Sequence, residues 1–150
     1  MKSIEYLESK NIEFKTIHLD EVPKTAQDVE RIYSCSLRQV LKTLIFIGEI
    51  EPVIVVLPGD KRVDMNKLKK ATKQTNLRMA KPDEIEEITG YKIGGVSPFG
   101  IEKNITKIID ESVFKTKTVN IGSGKAELGI ELNSEELRKA WNGIVADVKE

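Results

Sequence analysis

Thr43-Leu44-Ile45-Phe46-Ile47 and Val53-Ile54-Val55-Val56-Leu57, followed by Pro58-Gly59-Asp60, are the stretch on which the fold turns. Two short, almost uninterrupted apolar runs bounded by turn residues read as neighbouring buried strands. Pro58 presets φ and Gly59 supplies the unusual backbone angle for the turn that follows them. Working outward, Ser3 to Ser9 reads as a short helix, and Phe14-Lys15-Thr16-Ile17-His18-Leu19 alternates as a half-buried strand. Thr25 is placed to N-cap a helix over Ala26–Tyr33. Ser36 with Gln39 three residues on has the form of a capping box, predicting a second helix that delivers Lys42 to the first apolar strand. Asp64 caps a helix through Ala71, and Leu77-Arg78-Met79 is a short strand. Pro82 at a helix start and Gly90 past its end frame a helix over about Asp83–Thr89. Thr106–Ile109, Thr118–Ile121 and Leu128–Leu132 are further strands, and Asn133 with Glu136 caps a last helix. The strands are too irregularly spaced for a βαβ repeat. The expectation is therefore one α+β domain over residues 1–150, with a mixed, curled, barrel-like sheet flanked by helices.

Composition narrows the function classes. The chain has 150 residues, 39% of them hydrophobic, 32% charged and 5% aromatic, the profile of a globular protein with an aliphatic core. No apolar run approaches the ~20 residues of a membrane span, and the opening Met1-Lys2-Ser3-Ile4-Glu5-Tyr6 carries an acid where a signal peptide is apolar. The reading is a cytoplasmic protein with no membrane partner. One cysteine, Cys35, excludes an internal disulfide, and Cys35 with the lone His18 cannot build a thiolate and imidazole metal site, so neither metal nor another cofactor is expected. Twenty-four basic residues balance 24 acidic ones, so any nucleic-acid binding must use a local patch.

Chemistry concentrates in two places. Lys42 stands where a predicted helix meets a strand, an edge from which a long cation reaches a cleft. Gly94-Gly95-Val96-Ser97-Pro98-Phe99-Gly100 puts three glycines and a proline in seven residues. Its backbone can approach a ligand closely while proline holds the shape. Lys61, Arg62, Lys67, Lys69, Lys70 and Lys73 are either a solvated helix face or a phosphate-binding patch. His18 has no neighbour in sequence to orient it as a base, and Cys35 lies in a polar loop without an adjacent cation. Gly122-Ser123-Gly124-Lys125 is either an ordinary hairpin turn or a second pocket wall.

Lys42-Thr43-Leu44, the Pro58 to Asp64 turn, Thr89-Gly90-Tyr91, Gly94 to Gly100, and Gly122 to Lys125 leading into Leu128-Gly129-Ile130-Glu131-Leu132 together resemble the YbaK/ProX family in order and spacing, over about residues 12–148. These are aminoacyl-tRNA deacylases related to the editing domain of bacterial prolyl-tRNA synthetases. The resemblance implies hydrolysis of the ester joining a wrong amino acid to the terminal adenosine of a tRNA, with tRNA(Pro) as the substrate it points to. It implies the acceptor end of aminoacyl-tRNA as a partner, and prolyl-tRNA synthetase as a possible second one. Lys42 then meets a terminal phosphate, and Gly94 to Pro98 hold the terminal ribose and the attacking water. Thr25, Gly95, Val96, Ser97, Gly122 and Ser123 would bind substrate, with Lys61, Arg62, Lys69 and Lys70 on the tRNA backbone. No side-chain nucleophile is needed if backbone groups position the water. Two departures stand out: Gly129 replaces an acid common in the late strand, and Gly122 replaces a serine, with Ser123 displaced by one. They keep open a competing reading, a non-catalytic module that holds a tRNA end or a nucleotide. A serine- or cysteine-dependent hydrolase is a third, weaker reading.

Overall fold

A computed structural model describes residues 2–150. The elements run α1 (Lys2–Ser9), β1 (Lys15–His18), α2 (Ala26–Tyr33), a 3-10 turn (Leu37–Gln39), β2 (Leu41–Gly48), β3 (Val53–Pro58), α3 (Met65–Thr72), β4 (Leu77–Met79) and α4 (Pro82–Thr89). After the glycine-rich segment come β5 (Thr106–Asp110), a second 3-10 turn (Glu111–Lys115), β6 (Thr118–Gly122), β7 (Leu128–Asn133), α5 (Ser134–Ala140) and β8 (Ile144–Ala146). The domain is α+β, as expected.

The strands form two open sheets instead of one curled barrel. A five-stranded sheet has the order β4-β2-β3-β5-β8, and a three-stranded sheet the order β1-β7-β6. The larger one is mixed: β2 is antiparallel to β3 and β4, while β3, β5 and β8 run parallel. Every residue of β3 is buried, which is why it reads as a continuous apolar run. Alternation along β2 and β3 feeds two cores. Leu41, Ile45, Ile54 and Val56 face the small sheet through Val119, Ile121, Ile130 and Leu132, with Leu7 of α1 and Leu137 of α5 closing that core. Phe46, Val53, Val55 and Leu57 pack on the opposite side against Leu68 of α3 and Val148.

Local chemistry explains most boundaries. Thr25 and Asp28 form a reciprocal capping box on α2, and Asp64 accepts the Asn66 and Lys67 N–H groups at the start of α3. Asn133 caps α5 by accepting from Glu135 N–H, while Glu136 instead accepts from Glu13 N–H at 2.9 Å. The predicted helix after Ser36 is the main correction. Only the turn Leu37–Gln39 forms, and Ser36 makes no side-chain capping bond. The Gln39 amide donates across to the Thr118 carbonyl at 3.1 Å. Pairing of Leu41 onward with β3 wins over the local capping pattern, so Lys42 is the second residue of a strand, not the end of a helix. The strand β8 is unforeseen by pattern because Ile144 and Val145 are largely exposed on a three-residue edge.

Candidate active site at the seam between the sheets

β4 pairs only with Phe46–Gly48, leaving the earlier part of β2 without a strand neighbour on that side. β6 is likewise the edge of its sheet. The two open edges meet at one parallel bridge, Val40 with Asn120, and diverge beyond it. The gap is a cavity of about 350 Å³. Leu41 to Ile45 of β2 and Asn120, Ile121 and Gly122 of β6 form two of its walls. Gly94, Gly95 and Val96 close a third, and Pro23, Val29, Tyr33, Met79, Ala80, Ile85 and Ile93 supply an apolar side. Since β2 presents its edge, residues pointing to both faces of the strand contribute.

The glycines explain how the loop comes so near. Gly94 has φ +96°, a left-handed conformation that a side chain would strain, although the space around it is open. A Cβ on Gly122 would overlap the Val96 carbonyl oxygen, and one on Gly95 would lie 2.6 Å from the Lys125 carbonyl carbon. The glycine-rich loop is thus clamped directly on β6 and the turn after it. Tyr91 supports the same loop by donating to the Phe99 carbonyl at 2.7 Å.

Electrostatically the wall holds one cation and no carboxylate. Burial pushes the Lys42 amine below its ordinary value, the nearby Arg62 charge pushes it further the same way, and Asp60 opposes them. Burial raises the Tyr33 phenol, with a contribution from Cys35, so Tyr33 is a neutral hydroxyl in the wall. Asn120 is 4% exposed, and its Oδ1 is fully buried with no hydrogen-bond partner. Such an orphan costs about 1–3 kcal/mol.

The structure brings Lys42, Gly94, Gly95, Val96 and Gly122 together around the cavity. It does not bring Ser97, Pro98, Ser123 or Thr25 into the wall. Ser97 and Pro98 are buried beneath the loop, with the Ser97 hydroxyl accepting from Phe99 N–H at 3.2 Å. Ser123 is wholly buried in the β6–β7 turn, where its hydroxyl bonds the Leu128 carbonyl at 2.6 Å and accepts from Lys125 N–H. Its own carbonyl accepts from Ser3, so this serine organises a hairpin turn and pins α1 to it. Thr25 is spent on capping α2. His18 is exposed on β1, and Cys35, whose thiol burial holds above its ordinary range, is outside the wall. Among the described residues no group of three His, Cys, Asp or Glu side chains is placed to hold a metal, and no helix is long and apolar enough to cross a membrane.

The lysines divide into separate sites. Lys61 lies in a groove with Arg38, Lys115 and Lys149, beside Pro58, the register partner of Leu41. Arg62 is exposed next to Lys42. Lys67 is engaged by Asp147 at 2.9 Å and the Lys149 carbonyl at 2.8 Å. Lys69 lines a different depression with Glu49 and Arg78, and Lys70 is exposed in the last turn of α3. Asn120 and Tyr33 were missed by sequence reasoning. Neither lies in a motif, and only burial marks them.

Comparisons with known proteins bear on the family and the fold. A family profile described as "Aminoacyl-tRNA editing domain" matches residues 20–140. A protein of Enterococcus faecalis named as a candidate Cys-tRNA(Pro)/Cys-tRNA(Cys) deacylase, EbsC, is 30% identical over 125 residues, covering 83% of this chain and 76% of its own. Proline–tRNA ligase of Aquifex aeolicus is 30% identical over 96 residues, 63% of this chain and 17% of the ligase. Among solved structures, one described as a candidate trans-editing enzyme for prolyl-tRNA synthetase superposes with a TM-score of 0.87 at 28% identity, over 97% of this chain and 93% of that one. Another, described only as a hypothetical protein, reaches 0.91 at 29% identity over the whole of both chains.

Proposed function

From the premise that this chain belongs to the aminoacyl-tRNA editing domain family, we propose that it is an aminoacyl-tRNA deacylase that acts in trans, hydrolysing the ester of a mischarged tRNA, with tRNA(Pro) as its substrate. One observation carries the reading beyond family membership: a largely apolar cavity of about 350 Å³ with a lysine in its wall and clamped glycine backbone across from it. An amino-acid side chain enters the apolar side, Lys42 meets the terminal phosphate as a compact charge, and the ester lies against Gly94 to Val96. The attacking group is water, oriented by backbone dipoles and the substrate's own hydroxyl. Against a serine or cysteine nucleophile stand the burial of Ser97 under the loop and the position of Cys35 outside the wall. The likeness to EbsC and to proline–tRNA ligase supports tRNA(Pro) and a working link to the synthetase.

The test is a deacylation screen over tRNAs charged with alanine, cysteine, serine, threonine and proline, run with wild type and Lys42→Ala. Removing one charge-assisted hydrogen bond of about 1.5–3 kcal/mol predicts a fall of roughly 10- to 150-fold in kcat/KM, at an unchanged melting temperature. Tight binding of charged tRNA with every ester left intact would establish the non-catalytic module instead.

A further inference from the structure

Four cations converge on one end of the larger sheet, although they lie far apart in sequence. β3, β5 and β8 run parallel, so the segments that follow them leave the sheet at the same end, and β2, antiparallel to β3, starts there. Arg38 in the turn before β2, Lys61 after β3, Lys115 after β5 and Lys149 after β8 therefore meet around one groove of about 280 Å³. The space beyond the carboxyl ends of parallel strands is where open α/β sheets characteristically hold ligands. No carboxylate lines this groove. Lys149 is offset by the buried Asp110 at 3.9 Å and by Asp147 at 3.3 Å, and Lys61 stands 4.0 Å from Asp60. Arg38 and Lys115 are exposed and have no hydrogen-bond or ion-pair partner among the described residues. In a chain whose charges balance to zero, this is a local surplus that repels itself and that an anion neutralises.

The position of the groove identifies the anion. Pro58 in its wall is the register partner of Leu41, the residue before Lys42. Paired residues have Cα atoms about 5 Å apart and consecutive ones about 3.8 Å, so the groove begins within about 10 Å of the strand position that carries Lys42. On the proposed reading Lys42 meets the terminal phosphate. The phosphates next along the chain then pass the groove, and in a tRNA they belong to the single-stranded 3′ tail. A groove of this size admits one phosphodiester strand, whereas a duplex presents its backbone on a wide convex cylinder that cannot enter. We propose that the groove between Arg38, Lys61, Lys115 and Lys149 binds the backbone of the single-stranded 3′ tail, immediately 5′ of the terminal nucleotide, with Arg38 and Lys115 supplying the charge. This rests on the deacylase reading of the neighbouring cavity. It divides the work: the cavity receives the amino acid, and the groove positions the RNA without reading its sequence, because phosphates carry none.

The experiment compares, by calorimetry over a range of salt concentrations, two probes that cannot be hydrolysed: alanine joined through a 3′-amide to adenosine 5′-phosphate, and the same unit extended by two cytidines on its 5′ side. Wild type should bind the longer probe about 5-fold more tightly, as for two exposed ion pairs, with a log–log salt slope steeper by roughly 0.7 for each added phosphate. Arg38→Gln with Lys115→Gln should bind both probes with equal affinity and equal slope, while Lys69→Gln with Lys70→Gln should keep the gain. A gain that survives in the Arg38 and Lys115 variant overturns the assignment, as does one that appears only when a base-paired stem is added. Inorganic phosphate that binds wild type but not that variant, with no gain from the added nucleotides, makes the groove a free-anion site and overturns it too. Deacylation of charged tRNA by wild type without the length-dependent gain removes only the role of the groove. A wild type that neither binds the short probe nor hydrolyses any ester removes the deacylase reading and this role with it.

Discussion

Lys42 is held below the ordinary lysine range first by burial and then by Arg62, and this gives the reaction a pH signature. In the free enzyme the amine loses its proton at a pH below the usual ~10.4. On the proposed reading, in which Lys42 meets the terminal phosphate, kcat/KM should therefore fall on the alkaline side as the ammonium loses its charge. Arg62→Gln removes one of the two lowering influences, so the descending limb should move to higher pH. Rates corrected for spontaneous ester hydrolysis would show it, and an unmoved limb would mean that Lys42 is not the titrating group. A second residue-scale prediction concerns Gly129, where a Cβ would lie 3.0 Å from the Tyr33 hydroxyl. Tyr33 fills the space next to the position at which the resembling family often carries an acid. Gly129→Asp should destabilise by about 1–3 kcal/mol through overpacking. Adding Tyr33→Ala should recover part of that loss, a non-additivity readable in denaturant midpoints. Additive losses would show that the two positions do not compete for space. Sequence alone shows the missing acid but not what replaces it, since Tyr33 and Gly129 meet only through long-range packing.

Among the elements, the glycine-rich loop makes the most direct prediction. Gly94→Ala meets no crowding, its nearest neighbour being the Ala126 Cβ at 3.9 Å, but must hold φ near +96°. That strain, about 1–3 kcal/mol, is relieved by moving the loop away from the cavity, so activity should fall more than stability. Ser97→Ala should do the opposite. It strands the buried Phe99 N–H and costs stability, about 1–3 kcal/mol, while leaving kcat within a fewfold. Melting curves beside single-turnover rates distinguish the two, and an inactive but stable Ser97→Ala would revive a serine nucleophile. The same loop shows what a sequence discloses. Val53 to Leu57, the Asp64 cap and the Pro82 to Gly90 frame are legible because each signal is local. The capping-box letters at Ser36 mislead because β3 pairs with β2 from Leu41 onward. Thr25 and Ser123 have hydroxyls of the right kind, but local hydrogen bonds consume them. Asn120 carries no local signal at all.

At the scale of the whole molecule, balanced charge leaves tRNA affinity to one region. Arg38 and Lys115 form no ion pair among the described residues. They share a groove with Lys61 and Lys149 beside the strand end that carries Lys42. Lys69 lies apart, in a depression with Glu49. Neutralising Arg38 and Lys115 to Gln should lower the log–log salt slope of tRNA binding by roughly 0.7–0.9 for each phosphate that is no longer neutralised. Hydrolysis of a short aminoacyl-adenosine should be unaffected. Lys69→Gln with Lys70→Gln should change the slope less, and the reverse ranking would move the tRNA path to α3. The cavity itself has a further consequence. Its walls are a strand edge, a second strand edge tied to it at one bridge, and a loop pressed on β6 with no room for a methyl group at Gly122. On the proposed reading, such a slot acts as a gauge: it stops any residue too bulky to enter and lets everything smaller through. A residue that enters but leaves the slot part-empty forfeits about 1–3 kcal/mol for each missing methylene, so the gauge is absolute against bulk and only graded against smallness.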